Sequence, residues 1–149
     1  KLTYSNAKKM HIDSQYFNLF MYKKFEHILN EKHTREIIIL MLETAQKAAV
    51  LNIRRYVLLG YGELGQRFYF LLKGLLQCVG IVDNFKTKQQ VDDLTITSQE
   101  DIFIVSNVIY INTILNEKAA NAVLSSLNFS AKQNHNFVTP NKIMKNINE

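Results

Sequence analysis

Residues 55–65 of this chain read Arg-Tyr-Val-Leu-Leu-Gly-Tyr-Gly-Glu-Leu-Gly. A short apolar run leads directly into the pattern Gly-x-Gly-x-x-Gly, and three of the chain's five glycines lie in this pattern. An apolar strand, a glycine-rich turn and a following helix form the first half of a nucleotide-binding βαβ unit. A second apolar segment, residues 79–82, ends on an acid and completes the unit. The sequence therefore predicts a βαβ unit of the nucleotide-binding kind.

Each glycine of the loop has a separate predicted role. Gly60 permits the tight turn that leaves the strand, Gly62 lets the backbone approach a pyrophosphate, and Gly65 lets the helix pack close to the strand. The N–H groups at the start of the helix, around Glu63 and Leu64, would hold a phosphate together with the positive end of the helix dipole. These five residues are the predicted phosphate-binding loop.

Asp83 is the acid at the end of the second apolar segment, 18 residues after Gly65. A carboxylate at this place can accept hydrogen bonds from ribose hydroxyls, and its charge would repel a 2′-phosphate. A ligand with free ribose hydroxyls is therefore favoured over NADP. The alternative is that Asp83 only caps the strand end. Glu63 places a negative charge near the phosphate, and Arg67, one turn further on, can pair with it.

Residues 1–53 are predicted to form a helical N-terminal extension. Residues 1–52 contain neither Gly nor Pro, and apolar side chains recur at helical spacing between Phe17 and Leu29. A second helix is predicted to follow Thr34, its N-cap, with the acid Glu36 in its first turn. We expect a helical hairpin that packs on the following domain or forms a homodimer seam.

Residues 54–149 alternate short apolar strands with helical segments, which predicts an α/β fold with a parallel sheet. We expect a Rossmann-like sheet of four or five strands flanked by helices. The predicted strands are 56–59, 79–82, 94–96, 108–111 and an edge strand within 130–138, and the predicted helices are 63–73, one from Ser98 and 116–127. About 90 residues are enough for one mononucleotide-binding half, without a catalytic domain beside it.

Composition excludes several function classes. The net charge of +5 comes from scattered basic residues, which is typical of a solvated surface rather than a nucleic-acid groove. No apolar run approaches the roughly 18 residues of a membrane span, and no secretory signal is visible. The single Cys78 fits a reducing cytoplasm, and the four histidines lack metal-ligand spacing. We expect a cytoplasmic protein without a metal, nucleic acid or membrane as partner.

Three segments carry a family resemblance: 58–65, 79–84 and 94–101. They resemble the Rossmann-like domain of bacterial polysaccharide and sugar-modifying proteins, similar to the domain that precedes the β-helix of sugar acyltransferases and binds a UDP-sugar. The resemblance spans residues 55–138. It implies that the ligand crevice is lined by the loop Gly62–Gly65, by Asp83 and Asn84, and by Asn112 and Thr113. Tyr61 stands where that family usually has a small residue.

The resemblance implies nucleotide or nucleotide-sugar binding without acyl transfer, because no hexapeptide repeat or catalytic His follows. We therefore expect a binding module for a UDP-sugar or NAD that needs a partner catalytic domain or subunit, within a polysaccharide-biosynthesis system. The alternatives are a degenerate scaffold for dimerisation or assembly and a small NAD-dependent enzyme. A short-chain oxidoreductase would need a Tyr-x-x-x-Lys pair after Asn112, and a methyltransferase favours an acid within 56–59; both are missing. No catalytic residue is assigned.

Overall fold

The computed structural model describes residues 33–101, 106–127 and 136–140, which contain three helices and six strands. The helices are α1 (Thr34–Leu51), α2 (Glu63–Leu72) and α3 (Glu117–Leu127). The strands are β1 (Arg55–Leu59), β2 (Gln77–Val82), β3 (Gln90–Val91), β4 (Leu94–Thr95), β5 (Ile109–Asn112) and β6 (Phe137–Val138). The predicted first helix of the N-terminal hairpin lies outside the described residues.

The main sheet has four parallel strands in the order β2-β1-β5-β6. The chain leaves β1 through α2 toward β2 on one side, and it leaves β5 through α3 toward β6 on the other side. The switch point of the sheet therefore lies between β1 and β5, where open α/β sheets form their ligand crevice. The predicted α/β class with a parallel sheet is confirmed, and the arrangement is consistent with a Rossmann-like fold.

Helices cover both faces of this sheet. Successive side chains of β1 alternate between the two faces, as the twofold period of a strand requires. One face packs against α1 and α2 through Tyr56, Leu58, Ile81, Ile109, Ile111, Val138, Ile37, Leu40, Met41, Leu64, Phe68, Leu71 and Leu72. The other face packs against α3 through Val57, Leu59, Val82, Tyr110, Phe137, Ala120, Val123 and Leu124. α1 thus shares one core with the sheet.

The predicted strand 94–96 forms at Leu94–Thr95, but its predicted place in the parallel main sheet is wrong. Residues 94–95 instead pair antiparallel with β3 and form a separate two-stranded sheet. The two-residue loop Asp92–Asp93 reverses the chain, and Asp92 adopts a left-handed φ of 52° that this turn requires. Just after the hairpin, Thr97 forms an isolated parallel bridge with Val82 of the main sheet.

The segment Ser98–Asp101 is a turn. The Asp101 N–H donates to the Ser98 carbonyl at 3.2 Å, and the Ser98 hydroxyl donates to the Asp101 carboxylate at 3.2 Å. The sequence predicted the start of a helix here. The segment is a turn as far as Asp101, and the continuation of the predicted helix lies outside the described residues.

Helix ends agree with the sequence at two places and differ at one. The Ala119 N–H donates to Asn116 Oδ1 at 2.9 Å, so the predicted N-cap of α3 is confirmed. Gly74, predicted to end α2 in a left-handed conformation, has a φ of 82°. Thr34 is the first residue of α1 rather than its N-cap. That position belongs to His33, whose φ is 67°.

Candidate functional site

A cleft of about 500 Å³ opens at the carboxyl ends of the central strands, above the switch point. The glycine loop and the start of α2 form one side, and the loop after β5 and the first turns of α3 form the other. Its lining residues are His33, Gly60, Gly62, Glu63, Leu64, Asp83, Asn84, Phe85, Gln99, Thr113, Ile114, Leu115, Asn116, Ala119, Ala122 and Val123. The predicted site residues therefore meet in one place, except for Gly65 and Asn112, which lie beneath it.

Two glycines of the loop are required by packing. Gly60 has a φ of 93°, and a Cβ built there would lie 2.7 Å from Ile114 Cγ1. A Cβ on Gly65 would collide with the Gly60 carbonyl oxygen and lie 2.9 Å from Thr113 Oγ1. Both observations agree with the predicted roles, a tight turn at Gly60 and close helix–strand packing at Gly65.

Gly62 differs from the other two, because a Cβ built on it would meet no atom of the described residues within 4 Å. It is the N-cap of α2, and its carbonyl accepts the first helical hydrogen bond from the Gln66 N–H at 2.9 Å. The N–H groups of Glu63, Leu64 and Gly65 therefore precede the first bond of the helix. The space beside Gly62 is open for a ligand to approach the backbone.

Asp83 joins the glycine loop to the end of β2. Its Oδ2 accepts a hydrogen bond from the Tyr61 N–H at 2.7 Å, and its Oδ1 accepts one from the Phe85 N–H at 2.9 Å. The structure thus shows the strand-end cap that the sequence left open as an alternative. Each carboxylate oxygen retains a second acceptor site, so the ribose contact stays a prediction.

Asn84 fixes the loop after β2 to the turn at Gln99. The Asn84 side-chain amide donates to Gln99 Oε1 at 2.9 Å, and its Oδ1 accepts the Gln99 N–H at 2.8 Å. Both polar groups of Asn84 are used in this pair. The residue lines the cleft, and its direct observed role is to hold one wall in place.

Asn112 and Thr113 tie the end of β5 to its neighbours. The Thr113 hydroxyl lies 2.8 Å from the Leu59 carbonyl and 3.0 Å from the Gly60 carbonyl, so it bonds across the switch point. Asn112 is fully buried, and its side chain donates to Thr139 Oγ1 and accepts the Ile114 N–H, both at 3.0 Å. Asn112 therefore supports the loop, whereas Thr113 also lines the cleft.

No protein-family model, curated protein or solved structure matches this chain.

Acidic and basic side chains meet where α1 and α2 begin. Glu63 Oε2 lies 3.4 Å from Arg67 Nη2, and Glu63 Oε1 lies 3.7 Å from His33 Nε2. His33 also lies 3.9 Å from Glu36. The sequence predicted the pairing of Glu63 with Arg67. It carried no signal for His33, because its position depends on where α1 packs on the sheet.

The unusual Tyr61 does not line the cleft. Its ring packs edge-on against the ring of Tyr69 with centroids 6.2 Å apart, and Lys86 Nζ lies 5.8 Å from its centroid. Burial raises the pKa of the Tyr61 phenol, and the nearby Asp92 carboxylate adds to the increase. Because the side chain is turned toward α2, a large residue at this position leaves the cleft open.

Sequence reasoning missed the apolar wall of the cleft. Phe85, just after the β2 acid, is 93% exposed at the cleft, and Leu115 is 38% exposed on the opposite loop. Ala119, Ala122 and Val123 contribute one face of α3. The four-residue spacing from Ala119 to Val123 was a usable helical signal. Phe85 had none, because an isolated aromatic residue in a polar loop does not indicate which surface it borders.

A metal-binding cluster and a membrane-spanning helix are both absent from the described residues. Among them, no three His, Cys, Asp or Glu side chains come together in a way that could hold a metal ion. None of the helices in the described ranges has both the length and the hydropathy needed to cross a bilayer.

Proposed function

We propose that this chain is a nucleotide-binding module whose ligand, a nucleotide, a nucleotide-sugar such as a UDP-sugar, or NAD, lies in the cleft above β1 and β5. The observation that carries the proposal is the open space beside Gly62 at the N-terminus of α2. Helix N-termini attract phosphates through their N–H groups and the positive end of the dipole. A role in polysaccharide or sugar modification is part of the proposal through the sequence resemblance alone.

The other walls of the cleft offer groups that can bind the ribose and the base of such a ligand. Asp83 lies at the end of β2, where its second acceptor sites can take ribose hydroxyls. Phe85 and the α3 face offer apolar surface for a base, and aromatic side chains stack on bases. A volume of about 500 Å³ is within the range of small-molecule sites.

Isothermal titration calorimetry with UDP-glucose, UDP and NAD tests the proposal. We expect binding of at least one of them, and we expect Gly62→Ala to weaken it about tenfold or more, because the new methyl group enters the space of the phosphate. Gly80→Ala is the matched control, since its Cβ would lie 3.8 Å from Val57 in ordinary contact. Absence of binding by all three at millimolar concentration would show the proposal to be wrong.

A second candidate is an assembly scaffold, favoured by exposed apolar side chains on the helices. Leu42 and Val50 of α1 are 59% and 73% exposed, and Phe70 of α2 is 64% exposed. Deleting residues 1–50 would remove core residues of α1, so surface variants give a cleaner test. If the exposed face of α1 is a dimer interface, light scattering should show a dimer for the wild-type chain and a monomer for the double variant Leu42→Gln/Val50→Gln. Equal monomer masses would exclude it.

A further inference from the structure

The side of the cleft that holds the glycine loop is acidic. Glu63 and Asp83 both line the cleft, and among the described lining residues His33 is the single base, since none of them is Lys or Arg. Arg67 pairs with Glu63 at 3.4 Å from outside the lining. The chain as a whole has a net charge of +5, so its composition does not account for this local excess. Sites that hold terminal phosphates commonly use Lys or Arg to neutralise them.

Glu63 is the acid closest to the predicted phosphate position, since it follows Gly62 directly and is the first residue of α2. Its side chain is 47% exposed and borders the cleft, whereas its partner Arg67 does not line it. Asp83 already accepts two backbone hydrogen bonds, and its carboxylate is held toward the loop. Glu63 therefore presents the acidic group that an additional phosphate charge would meet.

We propose that Glu63 makes the cleft selective for nucleotides whose phosphates are all esterified, such as nucleotide-sugars and dinucleotides, over nucleotides that end in a free phosphate. The inference rests on the proposed function. An esterified phosphate carries one negative charge, which the helix N-terminus can balance, whereas a terminal phosphate approaches two near neutral pH. One extra charge about 6 Å from a carboxylate in a water-like medium lowers affinity about threefold, and more where solvent is excluded.

Competition between UDP and UDP-glucose, measured by calorimetry in EDTA so that no divalent cation shields the phosphate, tests this inference. Sugar contacts also separate the two ligands, so the informative quantity is the change in their affinity ratio on mutation. We expect Glu63→Gln to improve UDP binding about threefold or more relative to UDP-glucose. Arg67→Gln removes a basic partner of Glu63, while His33 remains, and it should shift the ratio in the opposite direction.

The outcomes separate the two proposals. If UDP-glucose and UDP both bind but Glu63→Gln leaves their ratio unchanged, the selectivity role of Glu63 is wrong while nucleotide binding stands. If UDP binds more tightly than UDP-glucose in the wild-type chain, the inference is likewise overturned. If UDP, UDP-glucose and NAD all fail to bind, the proposed function fails, and this inference fails with it.

Discussion

Asp83 Oδ2 accepts a hydrogen bond from the Tyr61 N–H at 2.7 Å, and this contact joins the glycine loop to the end of the neighbouring strand. The two residues lie 22 positions apart in the chain. The Gly60 N–H reinforces the connection by donating to the Val82 carbonyl at 2.7 Å. The acid at the end of β2 therefore shapes the loop before any ligand is present.

Asp83→Ala should destabilise the fold by about 1 to 3 kcal/mol, because two backbone N–H groups lose a charged acceptor. Asp83→Asn should cost less, since its remaining carbonyl oxygen can keep one of the two bonds. Urea unfolding measures both, with exposed Glu100→Ala as the control. If Asp83→Ala unfolds at the same urea concentration as the wild-type chain, the connection contributes nothing to stability.

The parts of this fold that the sequence predicted are those determined by local chemistry. The positions of Gly60 and Gly65 and the Asn116 cap follow from backbone geometry that few other residues satisfy. The α/β alternation followed from hydrophobic periodicity. Placement that depends on distant packing was not predictable: residues 94–95 pair with β3 instead of the main sheet, and His33 reaches the cleft only because α1 packs beside α2.

The predicted site residues divide in the same way, between those determined by local chemistry and those that depend on distant packing. Gly62 and Asp83 lie where their motif places them, at the carboxyl ends of two adjacent strands. The family resemblance placed Asn112 in the crevice, in the loop after the predicted strand 108–111, yet Asn112 is the last residue of β5 and is fully buried. A residue at a strand end can point up to the ligand or sideways to the next loop, and sequence position alone does not distinguish the two.

Gly65→Ala should destabilise the chain by about 1 to 3 kcal/mol or more, because its methyl group would overlap the Gly60 carbonyl oxygen, a backbone atom with little room to move. Gly80→Ala makes the same change on β2 next to Val57, with ordinary contact distances. It should be neutral or stabilise the fold by up to about 1 kcal/mol through the unfolded state. Thermal unfolding distinguishes the two variants, and equal melting temperatures would contradict the close packing at Gly65.

Thr44→Val should raise stability by about 1 kcal/mol. Thr44 is fully buried on the inner face of α1, and its hydroxyl has no hydrogen-bond partner among the residues that the structure describes. A buried hydroxyl without a partner costs free energy that the isosteric methyl group avoids. Urea unfolding of Thr44→Val and Thr44→Ser separates the effect of the hydroxyl on stability from that of the methyl group, since serine keeps the hydroxyl and loses the methyl group. A less stable valine variant would show that the hydroxyl has a partner in solution.

Cys78 should make the fold sensitive to alkaline pH. Burial raises the pKa of its thiol from 9.0 to about 11, so the folded chain holds the proton more tightly than the unfolded chain does. The stabilisation by the protonated thiol is therefore complete below pH 9. It is lost progressively between about pH 9 and pH 11, and the loss of folding free energy reaches roughly 2 kcal/mol at pH 11. Burial raises the pKa of Tyr56 as well, which adds a loss of the same sign at higher pH.

Urea unfolding of wild type and Cys78→Ala from pH 8 to pH 11 isolates the thiol, because Tyr56 is present in both. The stability difference between them should be constant up to about pH 9 and then change in favour of the alanine variant. A difference that stays constant to pH 11 would show that the thiol ionises as readily in the folded chain as in the unfolded one.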